Sequence, residues 1–279
     1  GVNDLAQTDG TRQPDYMAEL GHGQAGISMN AHTDQLNTSY RHIDPNAPLT
    51  VSLVYAIREL DSYDNWLLRS QSGSTELYMG RLYANPTLYG SAMGAVNLGG
   101  STHYELGAFI IHTFRYNPVS GTAKHWVNGV EQGEISFETA MTFGFLNLGS
   151  GGDGYRGSGS NLSEYLIYEK ALDETQRESM EVYLADKYGI YHPKANWIAE
   201  GYDDDFREVI HTGHYDKNRA DALFTKADPA VFAGADLDGL TAWYRPEELV
   251  EDYGEAGGQV SRWRDVLGVN DLVQTDGTR

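Results

Sequence analysis

Along TVSLVYAI, residues 50–57, the apolar side chains of Val51, Leu53, Tyr55 and Ile57 fall on alternate positions. That period of two predicts a strand with one buried face. LYMGRLY at 77–83, GAFIIHTFRY at 107–116, MTFGFLNL at 141–148 and LSEYLIY at 162–168 are further aromatic and β-branched runs with the same signature. Turn residues separate them. NPVSG at 117–121 and GSGGDG at 149–154 read as loops, and Asn128-Gly129 lies between Val127 and Val130 as a two-residue hairpin turn. The period then changes to that of a helix. Leu172, Met180, Tyr183, Leu184 and Tyr188 form one apolar face, Asp173 and Gln176 stand in capping-box positions, and Gly189 ends the run. From 192 to 236 charge rises and periodicity fades, apart from a short helix expected within DKNRADALFTKA. Strand character returns in GLTAWYR at 239–245 and QVSRW at 259–263.

The chain repeats itself once. GVNDLAQTDGTR at residues 1–12 returns as GVNDLVQTDGTR at 268–279, differing only at Ala6 against Val273. The two starts are 267 residues apart (268 − 1), a period that is a whole domain rather than one turn of a solenoid.

Composition narrows the function classes. With 20 Lys and Arg against 40 Asp and Glu, the formal net charge is −20, which disfavours nucleic acid and anionic membrane surfaces as partners. No apolar run approaches the roughly 20 residues of a membrane-crossing helix. There is no cysteine, so neither disulfides nor thiolate metal sites are available. The 279 residues, with 8 Phe, 5 Trp and 19 Tyr, suffice for one sizeable core.

Three stretches resemble the laminin-G-like domains of the concanavalin A-like lectin/glucanase superfamily, in their bacterial type. GLTAWYRPEEL…GGQVSRWRDVLGVNDLVQTDGTR is similar to that family's opening strand, W-x-D turn and N-D-x-x-Q segment. LTVSLVYAIRE with HTFRYNPVSGTAKHWVNGVEQG resembles its paired strands and N-G hairpin. GYRGSGSNLSEYLIYEKALDETQRESMEVYLADKYGI resembles its closing strand and helix. The resemblance implies an all-β fold, a two-sheet antiparallel jelly-roll sandwich with one C-terminal amphipathic helix. It also places the opening strands at the wrong end of this chain. The expected organisation is therefore 1–191 as a jelly roll lacking its first strands, 192–236 as a linker or interface, and 237–279 as the opening strands of a next repeat. An artefactual overlap would give identical ends, which the Ala6/Val273 difference argues against. A circularly permuted domain that closes on itself is the other alternative.

A sandwich without its opening strands leaves a sheet edge to be filled from a neighbour. Leu240, Ala242, Trp243, Tyr244, Val260 and Trp263 are the residues such an inter-unit strand would bring, building an open head-to-tail fibre of like units. Chemistry is thinner. EISFE at 134–138 resembles the E-x-D-x-E motif of family-16 glycoside hydrolases, but Ser136 replaces the Asp, and residues four apart on a regular strand lie about 13 Å apart. Retaining glycosidases need their carboxyls at about 5 Å. His211 and His214 beside Asp203, Asp204 and Asp205 lack the pattern of a zinc site. For calcium, a cofactor the fold resemblance suggests, the candidate ligands are Asp153, Asn147 and Asp44. For a sugar they are Tyr89, Tyr155 and Arg156. Asp265, Asn270 and Asn3 read as turn-fixing residues. The chain is thus expected to be no enzyme but a structural or adhesive repeat unit of an extracellular or cell-surface filament protein. A lectin-like carbohydrate-binding module is the alternative.

Overall fold

The structure is a computed structural model. It describes residues 5–6, 10, 13–21, 24–30, 34–38, 47–59, 65–71, 77–81, 89–93, 96–99, 106–137, 145–149, 159–194, 240–245 and 262–263. The strands are β1 (Leu5–Ala6), β2 (Asp15–Gly21), β3 (Gln24–Met29), β4 (Gln35–Thr38), β5 (Leu49–Ile57), β6 (Asn65–Gln71), β7 (Leu77–Arg81) and β8 (Tyr89–Met93). After them come β9 (Val96–Gly99), β10 (Ile110–Asn117), β11 (Thr122–Val127), β12 (Val130–Ser136), β13 (Phe145–Gly149) and β14 (Ser160–Tyr168). Helix α1 (Glu174–Tyr188), β15 (Leu240–Tyr244) and β16 (Arg262–Trp263) complete the order.

The strands form two antiparallel sheets. One runs β16-β1-β4-β13-β6-β7-β8-β9 and the other β12-β11-β10-β5-β14-β3-β2, with β15 also on β14. Between them lies a core that includes Ile27, Met29, Leu53, Tyr55, Phe114, Tyr165, Tyr244 and Trp263. The protein is a two-sheet antiparallel jelly-roll sandwich, with one helix among the described residues.

Local chemistry explains several elements. The Asp173 carboxylate accepts from the Gln176 amide while the Gln176 side chain accepts from the Asp173 amide, and Gly189 closes α1 in the left-handed conformation. Between β11 and β12, Asn128 and Gly129 both take positive φ (49° and 78°), the turn that two-residue hairpins favour. The Asn128 side-chain oxygen accepts from the buried Ile111 amide at 2.8 Å.

One expectation from the strand pattern fails informatively. All nine residues of β5 are buried, not one face of them. α1 packs over the second sheet, so Val54, Ile111, Leu166, Met180, Leu184 and Tyr188 form a second core on the side the alternation left to solvent. The small polar residues there are paired: Ser52 Oγ lies 3.2 Å from Thr113 Oγ1, and Thr50 Oγ1 donates to the Lys170 carbonyl at 2.7 Å. The helix is pinned across the same sheet by Arg177, which bonds Glu174 and Glu181 while its guanidinium lies 4.5 Å from the Trp126 ring centroid.

Candidate functional site

The seam where β15 meets β14 and α1 gathers the chain's most specific polar and aromatic contacts. On its outer edge β14 carries two partners end to end. β3 pairs with Ser160–Leu162, and β15 pairs with Tyr165–Tyr168. Where one partner gives way to the other, β14 carries an extra residue, Ser163, relative to β5. This bulge lets Leu162 and Tyr165 both face the inter-sheet core while Glu164 turns toward the helix.

Glu164 is fully buried, yet saturated with donors from two other elements. Trp243 Nε1 donates to Oε1 at 2.6 Å, and Tyr188 Oη and Lys187 Nζ donate to Oε2 at 2.6 and 2.8 Å. A buried carboxylate is tolerated only with such partners. Around it the rings lock together. Tyr183 meets Trp243 edge-on at 6.2 Å, Tyr165 stacks on Tyr244 at 5.4 Å, and Tyr244 tilts against Trp263 at 5.9 Å. Trp263 Nε1 donates to the Arg245 carbonyl, which ties β16 back to the end of β15. The C-terminal segment therefore completes both sheets.

This corrects the placement expected for Leu240, Ala242, Trp243, Tyr244 and Trp263. They are seated on their own chain, not on a neighbouring unit. The physical reason is that the C-terminal half of β14 has an outer edge free beyond the end of β3, and about 50 residues separate α1 from β15. At roughly 3.3 Å per residue that connection can reach any point on the sandwich. The side-chain directions also differ from strict alternation. A register slip between Ile167 and Tyr168 places Leu240 on the helix side and Ala242 in the inter-sheet core, with Thr241 Oγ1 bonded to the Ile167 carbonyl. Val260 lies outside the described residues.

β16 in turn pairs with β1, so Leu5 and Ala6 of the first copy of the repeated words lie between β16 and β4. Leu5 stands opposite Trp263 and Thr38, and Ala6 opposite Arg262 and Asn37.

The other candidates are dispersed. Asn147 sits in β13 opposite Asn37 and Arg69, and Tyr89 opens β8 opposite Arg81. Asp153, Asp44, Tyr155 and Arg156 lie outside the described residues, as do Glu138, His211, His214, Asp203–Asp205, Asp265, Asn270, Asn3 and the helix expected in DKNRADALFTKA. Glu134, on β12, is ion-paired with Lys124 at 3.1 Å. Among the described residues, no group of three or more His, Asp or Glu is placed to hold a metal ion.

A buried relay went unread in the sequence. Tyr55 Oη lies 3.0 Å from His112 Nδ1, and His112 Nε2 lies 3.2 Å from His125 Nδ1. His125 Nε2 is buried with no hydrogen-bond partner. Burial, then the neighbouring His125, holds His112 well below the usual imidazole range, and burial lowers His125 to about 4. The only sequence hint is that His112 shares the inward parity of Ile110 and Phe114.

No family model and no curated protein matches the chain, so the laminin-G-like resemblance is carried by the stretches that suggested it. Solved structures similar to it include a Trypanosoma rangeli sialidase, at 15% identity and TM-score 0.44, covering 54% of this chain and 26% of that one. The same sialidase in complex with sialic acid gives the same figures. A heptameric SAP-like pentraxin from Limulus polyphemus is 14% identical at TM-score 0.40, covering 65% of this chain and 83% of that one. The chain spans about a quarter of the sialidases' length. The expectation that the chain is no enzyme is corrected by this comparison, because its structural neighbours include enzymes. The likeness is one of fold and is not evidence of catalysis.

Proposed function

We propose that the chain is a structural or adhesive sandwich unit that recurs along a longer extracellular or cell-surface protein. Each sandwich is completed by one C-terminal strand pair, β15 and β16. In an isolated unit that pair folds back on its own sheets; in an array it serves the sandwich that follows. The observation carrying this reading is the antiparallel pairing of β1 with β16. Leu5 and Ala6 of the first copy thereby lie beside β16, and in the sequence the second copy begins five residues beyond Trp263. The aromatic and carboxylate contacts of the seam give the pair a specific dock, and the length of the connection leaves it free to choose between sandwiches.

The test is a polypeptide of two consecutive units, cut by a protease of broad specificity. Cleavage within 192–236 of both units should leave one resistant fragment running from near Gly239 of the first to near Tyr191 of the second, identified by intact mass. Two fragments of equal type, each a closed unit severed between units, would refute the reading.

A further inference from the structure

The outer face of the second sheet carries a polar row that the seam does not use. Asp15 on β2, Ser28 on β3, Asn161 on β14 and Ala56 on β5 stand opposite one another across four strands. Their chain neighbours Tyr16, Ile27, Met29, Tyr55, Ile57 and Leu162 face the inter-sheet core, so these four point the other way. Asn30 and Arg58, just past β3 and β5, join the row. Gly159 runs between them, its amide bonded to the Met29 carbonyl and its carbonyl to the Arg58 amide. With no side chain at Gly159, the Arg58 guanidinium reaches across to β3, where Nη2 donates to Asn30 Oδ1 at 2.6 Å. Ser28 Oγ donates to the same oxygen at 3.0 Å, and Asn30 Nδ2 donates to Asp15 Oδ2 at 2.6 Å.

Two groups of the row are left over. Asn161 is only 8% exposed, yet neither end of its amide bonds another described residue, and Oδ1 is buried outright. Arg58 Nε is likewise buried and unbonded. Buried polar atoms without partners are rare and call for an explanation. We propose that the row is a binding site for a neutral, hydroxyl-rich ligand of the saccharide class. The site is formed by β2, β3, β5 and β14, so it stands whether or not β15 and β16 serve another sandwich.

The chemistry of the unmet atoms selects the class. Asn161 Oδ1 needs a donor and Arg58 Nε–H needs an acceptor, and a hydroxyl is the small group that supplies both. A carboxylate or phosphate would suit Arg58, but it would set a second acceptor against Asn161 Oδ1. It would also approach past Asp15 in a chain of net charge −20. A metal cation would suit Asn161 Oδ1 and Asp15, but Arg58 repels it. The rim is open to solvent, since Asn30 is exposed and Asp15 and Arg58 are half-buried. Asp15 Oδ1, with no partner among the described residues, can accept from a further hydroxyl of the same ligand. Neighbouring hydroxyls on one small molecule are the mark of a sugar.

Saturation-transfer NMR on the full chain tests this with methyl glycosides of neutral hexoses, pentoses and N-acetylhexosamines, against glucuronate and inorganic phosphate as anionic probes. At least one neutral glycoside should bind, and more tightly than either anion. Arg58→Lys keeps the charge but loses Nε–H, and should weaken that glycoside by at least about tenfold, the loss of a hydrogen bond to a charged group. Asn161→Leu should abolish binding while leaving the melting midpoint unchanged or raised, because it removes an unmet polar group. Asp15→Asn, at the half-buried rim, guards against a folding defect: it should weaken binding severalfold with the midpoint unchanged. Tighter binding of phosphate or glucuronate overturns the proposal, as does glycoside binding that all three variants leave untouched. Failure of every neutral glycoside to bind overturns it too, and a crystal structure with one ordered water between Arg58 Nε and Asn161 Oδ1 would then show the row completed by solvent alone.

Discussion

Replacing Glu164 should release the C-terminal strand pair. The carboxylate is fully buried and accepts from Trp243 Nε1, Tyr188 Oη and Lys187 Nζ, all within 2.8 Å. In Glu164→Leu the indole N–H and the phenol lose this partner inside the protein. Each costs about 1–3 kcal/mol when left unmet. Lys187, whose side chain is 12% exposed, can turn its ammonium to water and adds little. The sum is about 2–6 kcal/mol, which brackets the roughly 3–5 kcal/mol for removing one partner of a buried ion pair. Glu164→Gln keeps an acceptor for the indole but sets an amide N–H₂ toward the ammonium, and should cost about 1.5–3 kcal/mol. Urea unfolding at neutral pH, followed by tryptophan fluorescence with the slope held in common, measures both. A cycle with Trp243→Phe isolates the indole bond, which should couple to Glu164 by about 1–2 kcal/mol. If Glu164→Leu costs under 1 kcal/mol, or the cycle shows no coupling, the carboxylate does not hold β15 and the dock as described is wrong.

Acid should weaken the fold through the buried imidazoles. Unfolded histidine titrates near 6.5, whereas folded His125 titrates at about 4 and His112 also lies lower. The unfolded chain therefore binds more protons, and stability present at neutral pH declines as pH falls from 6.5 toward 4, by up to about 1.4 kcal/mol per pH unit for each histidine. Unfolding midpoints measured across that range should flatten in His125→Gln, and an unchanged slope would count against the relay. In the β11–β12 turn, Gly129 has φ of 78° and an added Cβ would lie within van der Waals overlap of His192 Nε2. Gly129→Ala should cost at least about 1–3 kcal/mol from backbone strain alone, more than the change at exposed Gly107, which has positive φ but open space around it. Equal losses at the two positions in thermal melts would show that the His192 contact is unimportant.

What could be read from the sequence was local. The Asn128-Gly129 turn, the Asp173–Gln176 capping box and the Gly189 stop each depend on residues within four positions of one another, and all three are present. β2 and β3 were not legible, because DYMAELG mixes polar and apolar positions and Gly26 interrupts QAGISM. That glycine has a tertiary cause: a Cβ there would meet the Leu162 carbonyl of the adjoining strand at 2.5 Å. Glu164 reads as a solvent-facing charge within LSEYLIY, since its donors lie 23, 24 and 79 positions away. Thr50 and Ser52 likewise read as the wet side of β5 until α1 covers them. The choice between a strand docked on its own chain and one docked on a neighbour is not encoded in the strand at all. It depends on the outer edge of β14 that β3 leaves open beyond Leu162.

The pairing of Leu5 with Trp263 has a mechanical side. Because the pairing is antiparallel, the N-terminal side of Leu5 and the C-terminal side of Trp263 lie at the same end of the β1–β16 ladder. Tension drawn through those two leads would open the β1–β16 ladder one bond at a time, as a zipper parts, instead of shearing all its bonds together.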